Sequence, residues 1–361
     1  MINNNYFDYY DDFEFMLALV GERRENWQQL VFEVAGERRC VYIRKTEYHA
    51  MLWLANLLEI KPDKVLEVYF AIRRGKKLHN VYFKNKTGGG KRKIVAPTPA
   101  LKFLQKQINT KILKQYPRSP YSFGFAGGST EQALRTHLDS GCLLMVDIQN
   151  AFPSVKWKHV CALFKGFRFS WYISNFLADV ATYEGCLTQG SPMSPLIFEL
   201  ICVDTIDRYA AQFARDVGDV CYTRYADNLF FSIPENDFSG KMKRELFREI
   251  CSTNKNNSVW PNFQFHEFRV KKFSGNAVSS LGLVIHDGEI HNEREFKRRF
   301  RKAIHHAQWC FENNHDLLPE AWGKLRGLFS YAQKETLPAK LRSDYEVLKN
   351  EILNLGIDLT I

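Results

Sequence analysis

Cys221-Tyr222-Thr223-Arg224-Tyr225-Ala226-Asp227-Asn228-Leu229-Phe230-Phe231 reads as two short apolar strands turning about an Ala-Asp pair. Strands rich in Val, Tyr and Phe bury themselves, while the turn leaves its side chains at one edge of the sheet. Asp227 is therefore presented, not packed. A second carboxylate, Asp147, ends another apolar run, Cys142-Leu143-Leu144-Met145-Val146. If the two strands are neighbours, the acids converge and can hold a pair of divalent cations, which is what two-metal nucleotidyl transfer requires.

The 361 residues (42.1 kDa) suffice for one large domain or two to three modest ones. A 45% hydrophobic and 25% charged composition is that of a globular chain. The formal charge of +10 points to a polyanionic partner, and it is unevenly spread. Asp8 to Glu14 is acidic, whereas residues 73–93 and 297–302 are dense in Lys and Arg. The eight cysteines form no Cys-x-x-Cys pair and match no His spacing, so they read as reduced core residues of a cytoplasmic protein, excluding a zinc module or a disulfide scaffold. No basic start with a signal-like apolar run is seen, and no apolar stretch reaches the roughly 18 residues of a membrane span. The expectation is a soluble protein without a membrane partner.

Residues 1–70 read as mainly helical, from Phe15–Val20 and His49–Leu58. Val81-Tyr82-Phe83 and Lys91-Arg92-Lys93-Ile94-Val95, joined through Thr87-Gly88-Gly89-Gly90, read as a β-hairpin with a positive tip. An amphipathic helix follows at 100–113. A strand is expected at 142–148, helices at 156–166 and 172–182, and a long helix at 196–216 after Pro195. After the 220–233 hairpin come a polar loop at 254–257 and strand-like pieces at 263–270 and 279–286. The end is helical at 293–312, 319–333 and 339–354. The fold class is α+β, a sheet with helices on one face.

Several stretches carry chemistry. Phe152, five positions beyond Asp147, would sit under the sugar of an incoming nucleotide, where a bulky ring rejects a 2′-hydroxyl; a capping Asp and a core Phe are the plainer alternative. In Thr188-Gln189-Gly190-Ser191-Pro192-Met193-Ser194-Pro195, Gly190 allows close backbone approach, the prolines stiffen the loop, and Gln189 can bond a nascent base pair or the template strand. Arg92 and Lys93 can clamp a triphosphate, unless they are simply a solvated run. Gly88-Gly89-Gly90 does not form a Walker loop. Lys271-Lys272 follow a strand, and Lys272 is a candidate general acid or else a surface lysine. Lys297, Arg298, Arg301 and Lys302 lie on a helix with Phe296 and Phe300 on its buried side, suited to tracking a sugar-phosphate backbone.

Asp147 with Phe152, Gln189 to Pro195, and Tyr225-Ala226-Asp227 occur in the order and rough spacing of reverse transcriptases. The chain resembles the bacterial retron-type and related defence-associated group. The likeness extends over Arg92–Pro97, Leu101, Lys102, Gln105, Tyr121–Phe125, Leu281–Val284 and Leu325–Phe329, or about residues 80–335. It implies a right-hand polymerase fold with an antiparallel palm sheet and a helical thumb: an N-terminal extension at 1–70, fingers at 71–135, palm at 136–285 with a finger insertion around 156–185, and thumb at 286–361. It further implies DNA synthesis on a dedicated non-coding RNA, with dNTPs as substrates, a DNA product, Mg²⁺ or Mn²⁺ as cofactor, and a role in antiphage defence with an effector protein as candidate partner. Asp147, Asp227 and the Ile148 carbonyl would hold metal, Arg92 the triphosphate, and Gln189-Gly190 the nucleotide pocket. Leu281-Gly282 would belong to the primer-gripping turn.

Two positions depart from the family. Asn228 replaces the usual second Asp, dropping a charge while keeping shape and an oxygen, so weaker metal affinity is expected. Ser280-Leu281-Gly282 stands where retron enzymes carry Val-Thr-Gly, and their Asn-Ala-x-x-His signature has no match. Two rivals stay open: template-independent or protein-primed synthesis by the same site, and an RNA-binding scaffold in which Asn228 has ended catalysis.

Overall fold

The computed structural model describes residues 24–34, 37–85, 89–125, 128–235, 237–256, 259–273, 277–332 and 337–354. The chain divides into two compact units, each threaded from several segments.

The first unit comprises Met1–Ser119, Gln149–Ile206 and Cys251–Gln264. Strands β1 (Trp27–Val34) and β2 (Glu37–Arg44) pair antiparallel, which corrects the helical expectation over that stretch. Val31-Phe32 and Val41-Tyr42-Ile43 are β-formers, and they outweigh the helical pattern of their flanks. Helices do follow at Lys45–Leu57 and Pro62–Arg73; the one expected at Phe15–Val20 lies outside the described residues. Strands β3 (His79–Asn85) and β4 (Lys91–Pro97) form the expected hairpin, and helix Pro99–Lys111 starts with proline in its first turn, where the missing N–H costs nothing. Gln105, fully buried on that helix, donates to the Val180 carbonyl at 2.8 Å and so ties it to helix Trp171–Ala181.

The second unit comprises Pro120–Ile148, Asp207–Ile250 and Phe265–Ile361. Its centre is a four-stranded sheet in the order β6-β7-β5-β8, where β5 is Cys142–Gln149, β6 Cys221–Tyr225, β7 Asn228–Ile233 and β8 Gln264–Lys272. β7 runs antiparallel to both β5 and β6. Side chains alternate, so the sheet has two apolar faces. On one, Leu143 and Phe230 join Leu134 and a small sheet made of β9 (Val278–Ser280), β10 (Leu283–His286) and β11 (Glu289–Asn292). On the other, Tyr222 stacks on Phe231 at 4.9 Å, and Phe213 of helix Arg208–Val217 meets Phe231 edge-on.

The strand-like piece expected at 279–286 is in fact two strands. Leu281 (φ 51°) and Gly282 (φ 81°) make a two-residue turn, and Asp287 (φ 50°) and Gly288 (φ 74°) make the next. Positive φ at both loop residues is the type I′ pattern, whose twist matches paired strands; the bulky Leu281 disguised it. Helix Gly240–Asn256 was not expected, and its last turn takes in part of the predicted polar loop. Leu246 and Ile250 are its buried stripe, hidden in the sequence among charged neighbours. The long helix expected at 196–216 is Met193–Cys202, a π turn at Val203–Asp207, and Arg208–Val217.

The C-terminal helices Arg294–Asn313, Leu318–Tyr331 and Ala339–Asn354 share a core of Phe300, Trp322, Leu325 and Tyr345. Tyr345 stacks on Phe329 at 3.7 Å and on Trp322 at 5.4 Å. Among the described residues no helix is long and apolar enough to cross a membrane.

Candidate active site

The β5–β7 register decides how the two acids meet. Asp147 is the Cα partner of Asn228, and the Ile148 N–H donates to the Asp227 carbonyl at 2.9 Å. Directly opposed Cα atoms in an antiparallel pair lie about 5 Å apart, so Asp147 and the residue before Asn228 are immediate neighbours. Met145 and Phe230 form the next pair on the same face, two positions along each strand. The apolar stripe of that face thus ends in Asp147 and Asn228, both half-buried. Asn228 Nδ2 donates to Asp227 Oδ1 at 3.1 Å.

Ala226 and Asp227 form the loop between the paired residues Tyr225 and Asn228. Only Ala226 has a positive φ (56°), the pattern of a type II′ turn, in which glycine usually takes that first place. Neighbours hold this alanine there. A Cβ on Gly124 would stand 2.4 Å from the Ala226 nitrogen, so only glycine lets that loop press on the turn. Arg224 N–H donates to the Tyr121 carbonyl, and Phe123 N–H to the Arg224 carbonyl, giving the edge strand β6 a second backbone partner besides β7. The Arg224 side chain, wholly buried, donates to both carboxylate oxygens of Asp207 at 2.7 Å and to the Ala226 carbonyl at 3.0 Å.

At the other end of the hairpin His137 bridges β6 and β7, with Nε2 2.8 Å from Thr223 Oγ1 and Nδ1 2.7 Å from Ser232 Oγ. Burial pushes its pKa down to about 4, so the ring is neutral near pH 7. Neither His137 nor the Arg224–Asp207 pair was singled out in the sequence. The available signal was an arginine inside an apolar strand, which demands a buried partner.

The donor set at the tip is two carboxylates and backbone oxygens, the hard ligands that Mg²⁺ and Mn²⁺ take. Among the described residues no group of three or more His, Cys, Asp or Glu comes together. Two carboxylates fit an ion that completes its shell with water and substrate phosphates, not one caged by protein alone.

Lys272 does not join them. Phe273 N–H donates to the Gly141 carbonyl, and Lys272 acts electrostatically on Cys142, so it belongs to the opposite end of β5. Five residue steps along the strand separate Cys142 from Asp147, about 17 Å. This corrects the expectation of a general acid there. Lys271, half-buried, donates to the Ser279 carbonyl.

In the first unit, β4 and the Gln189–Gly190 loop do come together. Val95 N–H donates to the Gln189 carbonyl at 2.7 Å. Gly190 has φ 113°, and a Cβ on it would lie 2.6 Å from the Val95 carbonyl oxygen, so glycine is required twice over. Gln189 Oε1 is buried without a hydrogen-bond partner among the described residues, leaving an acceptor to be satisfied. Arg92 is exposed; Lys93 bonds Glu184 at 2.9 Å and lies over the Tyr183 ring, and the Glu184 bond holds its pKa above the usual lysine value. Phe152 is half-buried, edge-on to Phe198 at 5.7 Å.

On the C-terminal bundle Arg298, Arg301 and Lys302 are exposed and Lys297 half-buried, while Phe296 and Phe300 are buried beneath them.

Comparison with known proteins bears on this geometry. Residues 84–255 match the family model described as reverse transcriptase (RNA-dependent DNA polymerase). The chain is 30% identical over 238 residues to the retron Ec86 reverse transcriptase of Escherichia coli, covering 63% of this chain and 69% of that protein. It is 25% identical over 285 residues to the retron Se72 reverse transcriptase of Salmonella heidelberg (strain 579083-10), covering 77% and 74%. The match to the retron Mx65 reverse transcriptase of Myxococcus xanthus is 31% over 166 residues, 41% of this chain and 38% of that longer protein.

Proposed function

The chain belongs to the retron-type bacterial reverse transcriptases, RNA-directed DNA polymerases with a right-hand polymerase fold, and from that premise we propose that it extends a primer with dNTPs on a dedicated non-coding RNA, using the carboxylates of Asp147 and Asp227. The observation that carries this reading is the register that sets Asp147 against Asn228 and bonds Ile148 to Asp227.

Members of the family use divalent metal ions; here we read the ions as Mg²⁺ or Mn²⁺, which when bound would supply Lewis-acid activation of a primer hydroxyl and charge neutralisation on the departing pyrophosphate. The two acids, with the Ile148 carbonyl, would hold and orient those ions. Arg92 takes the triphosphate through its planar donor fork, and Lys93 serves it as a point charge once released from Glu184. Gln189, whose buried side-chain oxygen has no hydrogen-bond partner among the described residues, and Gly190 line the nucleotide pocket. Phe152 excludes a 2′-hydroxyl by bulk. Lys297, Arg298, Arg301 and Lys302 follow the sugar-phosphate backbone of the template–product duplex. Asn228 stands by as the partner that bonds the Asp227 carboxylate. Antiphage defence in the cytoplasm, with an effector protein, completes the reading and rests on resemblance alone.

Primer extension with purified protein, a primed RNA template, dNTPs and Mg²⁺ or Mn²⁺ tests it. Template-directed incorporation that vanishes in Asp227→Ala is expected. Incorporation that ignores the template, or none by the wild type in either metal, would overturn it.

A further inference from the structure

Asp227 is flanked by two carbonyls, its own and that of Ala226, and each has a dedicated donor. The Asp227 carbonyl receives the Ile148 N–H at 2.9 Å. The Ala226 carbonyl receives Nη1 of Arg224 at 3.0 Å. We infer that Arg224 and Asp207 are positioning residues for Asp227: the buried ion pair fixes the peptide plane that enters the metal-binding residue, and so the direction of its carboxylate.

Ala226 occupies a positive-φ region that a residue with a Cβ rarely adopts, so the surroundings must impose it. Gly124 restricts the turn from one side by close approach to the Ala226 nitrogen. That contact limits where the turn can go without setting the rotation of the Ala226–Asp227 peptide. A hydrogen bond to the carbonyl does set it, and Arg224 is the donor.

The guanidinium is itself fixed. Nε and Nη2 meet the two oxygens of Asp207 at 2.7 Å each, a bidentate fork that leaves Nη1 aimed at Ala226. Asp207 is 2% exposed and takes a further bond from the Tyr222 hydroxyl at 2.7 Å. It closes the π turn Val203–Asp207, and the residues Arg208–Val217 follow as regular helix. A π turn inserts one extra residue into a helix, so it changes the direction in which the next side chains point. Apolar residues of similar volume could replace such a buried pair at little cost in stability. What they could not supply is a rigid fork with a third donor held in the same plane. Lysine could not either: its ammonium can pair with Asp207, but has no planar fork linking that contact to the carbonyl.

This inference rests on the assignment of Asp227 as a metal ligand, and its test separates the two. Arg224→Lys keeps the charge and loses the fork; Arg224→Met with Asp207→Leu removes the pair and fills the space. Each is compared with wild type in three readouts: melting temperature, Mn²⁺ affinity by electron paramagnetic resonance without nucleotide, and kcat with KM for dNTP in primer extension. Positioning predicts that at least one variant melts within about 3 °C of wild type. That variant should bind Mn²⁺ at least about threefold more weakly and lose about 10- to 100-fold in kcat, with KM shifted less than about twofold. A well-folded variant with wild-type Mn²⁺ affinity and wild-type kcat overturns the inference. So does a loss of kcat that only follows a loss of melting temperature in both variants while Mn²⁺ affinity stays constant. If the wild type binds Mn²⁺ but extends no primer, the polymerase reading fails and the Mn²⁺ comparison still decides the positioning role.

Discussion

Two hairpins of this protein share a motif and differ in almost every environment. In the β6–β7 hairpin the strand residues are buried apart from Cys221 and the half-buried Tyr225 and Asn228. In the β3–β4 hairpin every β3 residue after His79 is exposed, as are Lys91, Arg92 and Lys93 at the start of β4. The first carries one carboxylate on a short stem, Asp227, in a turn held by Arg224, Gly124 and Ile148, with His137 tying the two strands at the far end. The second carries cations on long stems with solvent around them. A ligand set for metal loses its value when displaced by a fraction of an ångström, so it is built into packed strands. A group that gathers polyphosphate works through charge and reach, and an exposed ribbon suffices. On the proposed roles, the same backbone device serves opposite purposes, according to which side chains it buries.

This contrast makes graded predictions. Asp227→Asn should cut kcat at least about 10³-fold with little change in melting temperature, because it removes charge from an already half-exposed tip; a loss under tenfold in primer extension would break the contrast at its strongest point. His137 comes next. Its folded pKa lies below the unfolded value, so the unfolded state binds more protons as pH falls from 6.5 towards 4, and stability is lost over that window. The expected loss from this residue is about 2 kcal/mol by pH 5. Urea midpoints at pH 7.5 and pH 5 should therefore differ less in His137→Gln than in wild type; equal pH dependence would show that the buried ring contributes nothing. His159, whose pKa burial and neighbouring lysines also lower to about 4, keeps its own share of the fall in both proteins.

On the exposed hairpin effects should be milder and of another kind. Arg92→Ala should raise KM for dNTP about tenfold while kcat changes less than about threefold, the pattern of lost ground-state binding, read from steady-state extension. A kcat effect as large as that of Asp227→Asn would erase the distinction between the hairpins. The smallest change expected is at Asn228→Asp, which restores a carboxylate beside Asp227. It should lower the Mg²⁺ concentration giving half-maximal rate by about two- to fivefold, since ligand charge tunes affinity for hard cations. An unchanged Mg²⁺ titration would mean that Asn228 acts only through its bond to Asp227.

How far the sequence carried these conclusions varied with the physics at each place. The β6–β7 hairpin was legible because two apolar runs bracket a two-residue loop, and β5 because its apolar run stops at an acid. The neighbouring of Asp147 and Asp227 needed one further assumption, that these strands pair, and the register supplies it. Lys272 shows the limit. It follows a strand as the acids do, yet which end of β5 it faces depends on how β8 runs beside β5, and that information is not local. Arg224 was visible but silent, since its partner Asp207 lies 17 residues away on a helix. The β1–β2 pair and helix Gly240–Asn256 were obscured by the same cause, segments whose tertiary setting overrides a mixed local pattern.

The central claim is that Asp147 and Asp227 share divalent cations across the β5–β7 pair. Anomalous diffraction from crystals grown with Mn²⁺, a primed RNA template and a non-hydrolysable dNTP analogue measures it directly. Manganese peaks within about 2.5 Å of carboxylate oxygens from both residues are the expected result. Peaks bound by only one of them, or by neither, would contradict it.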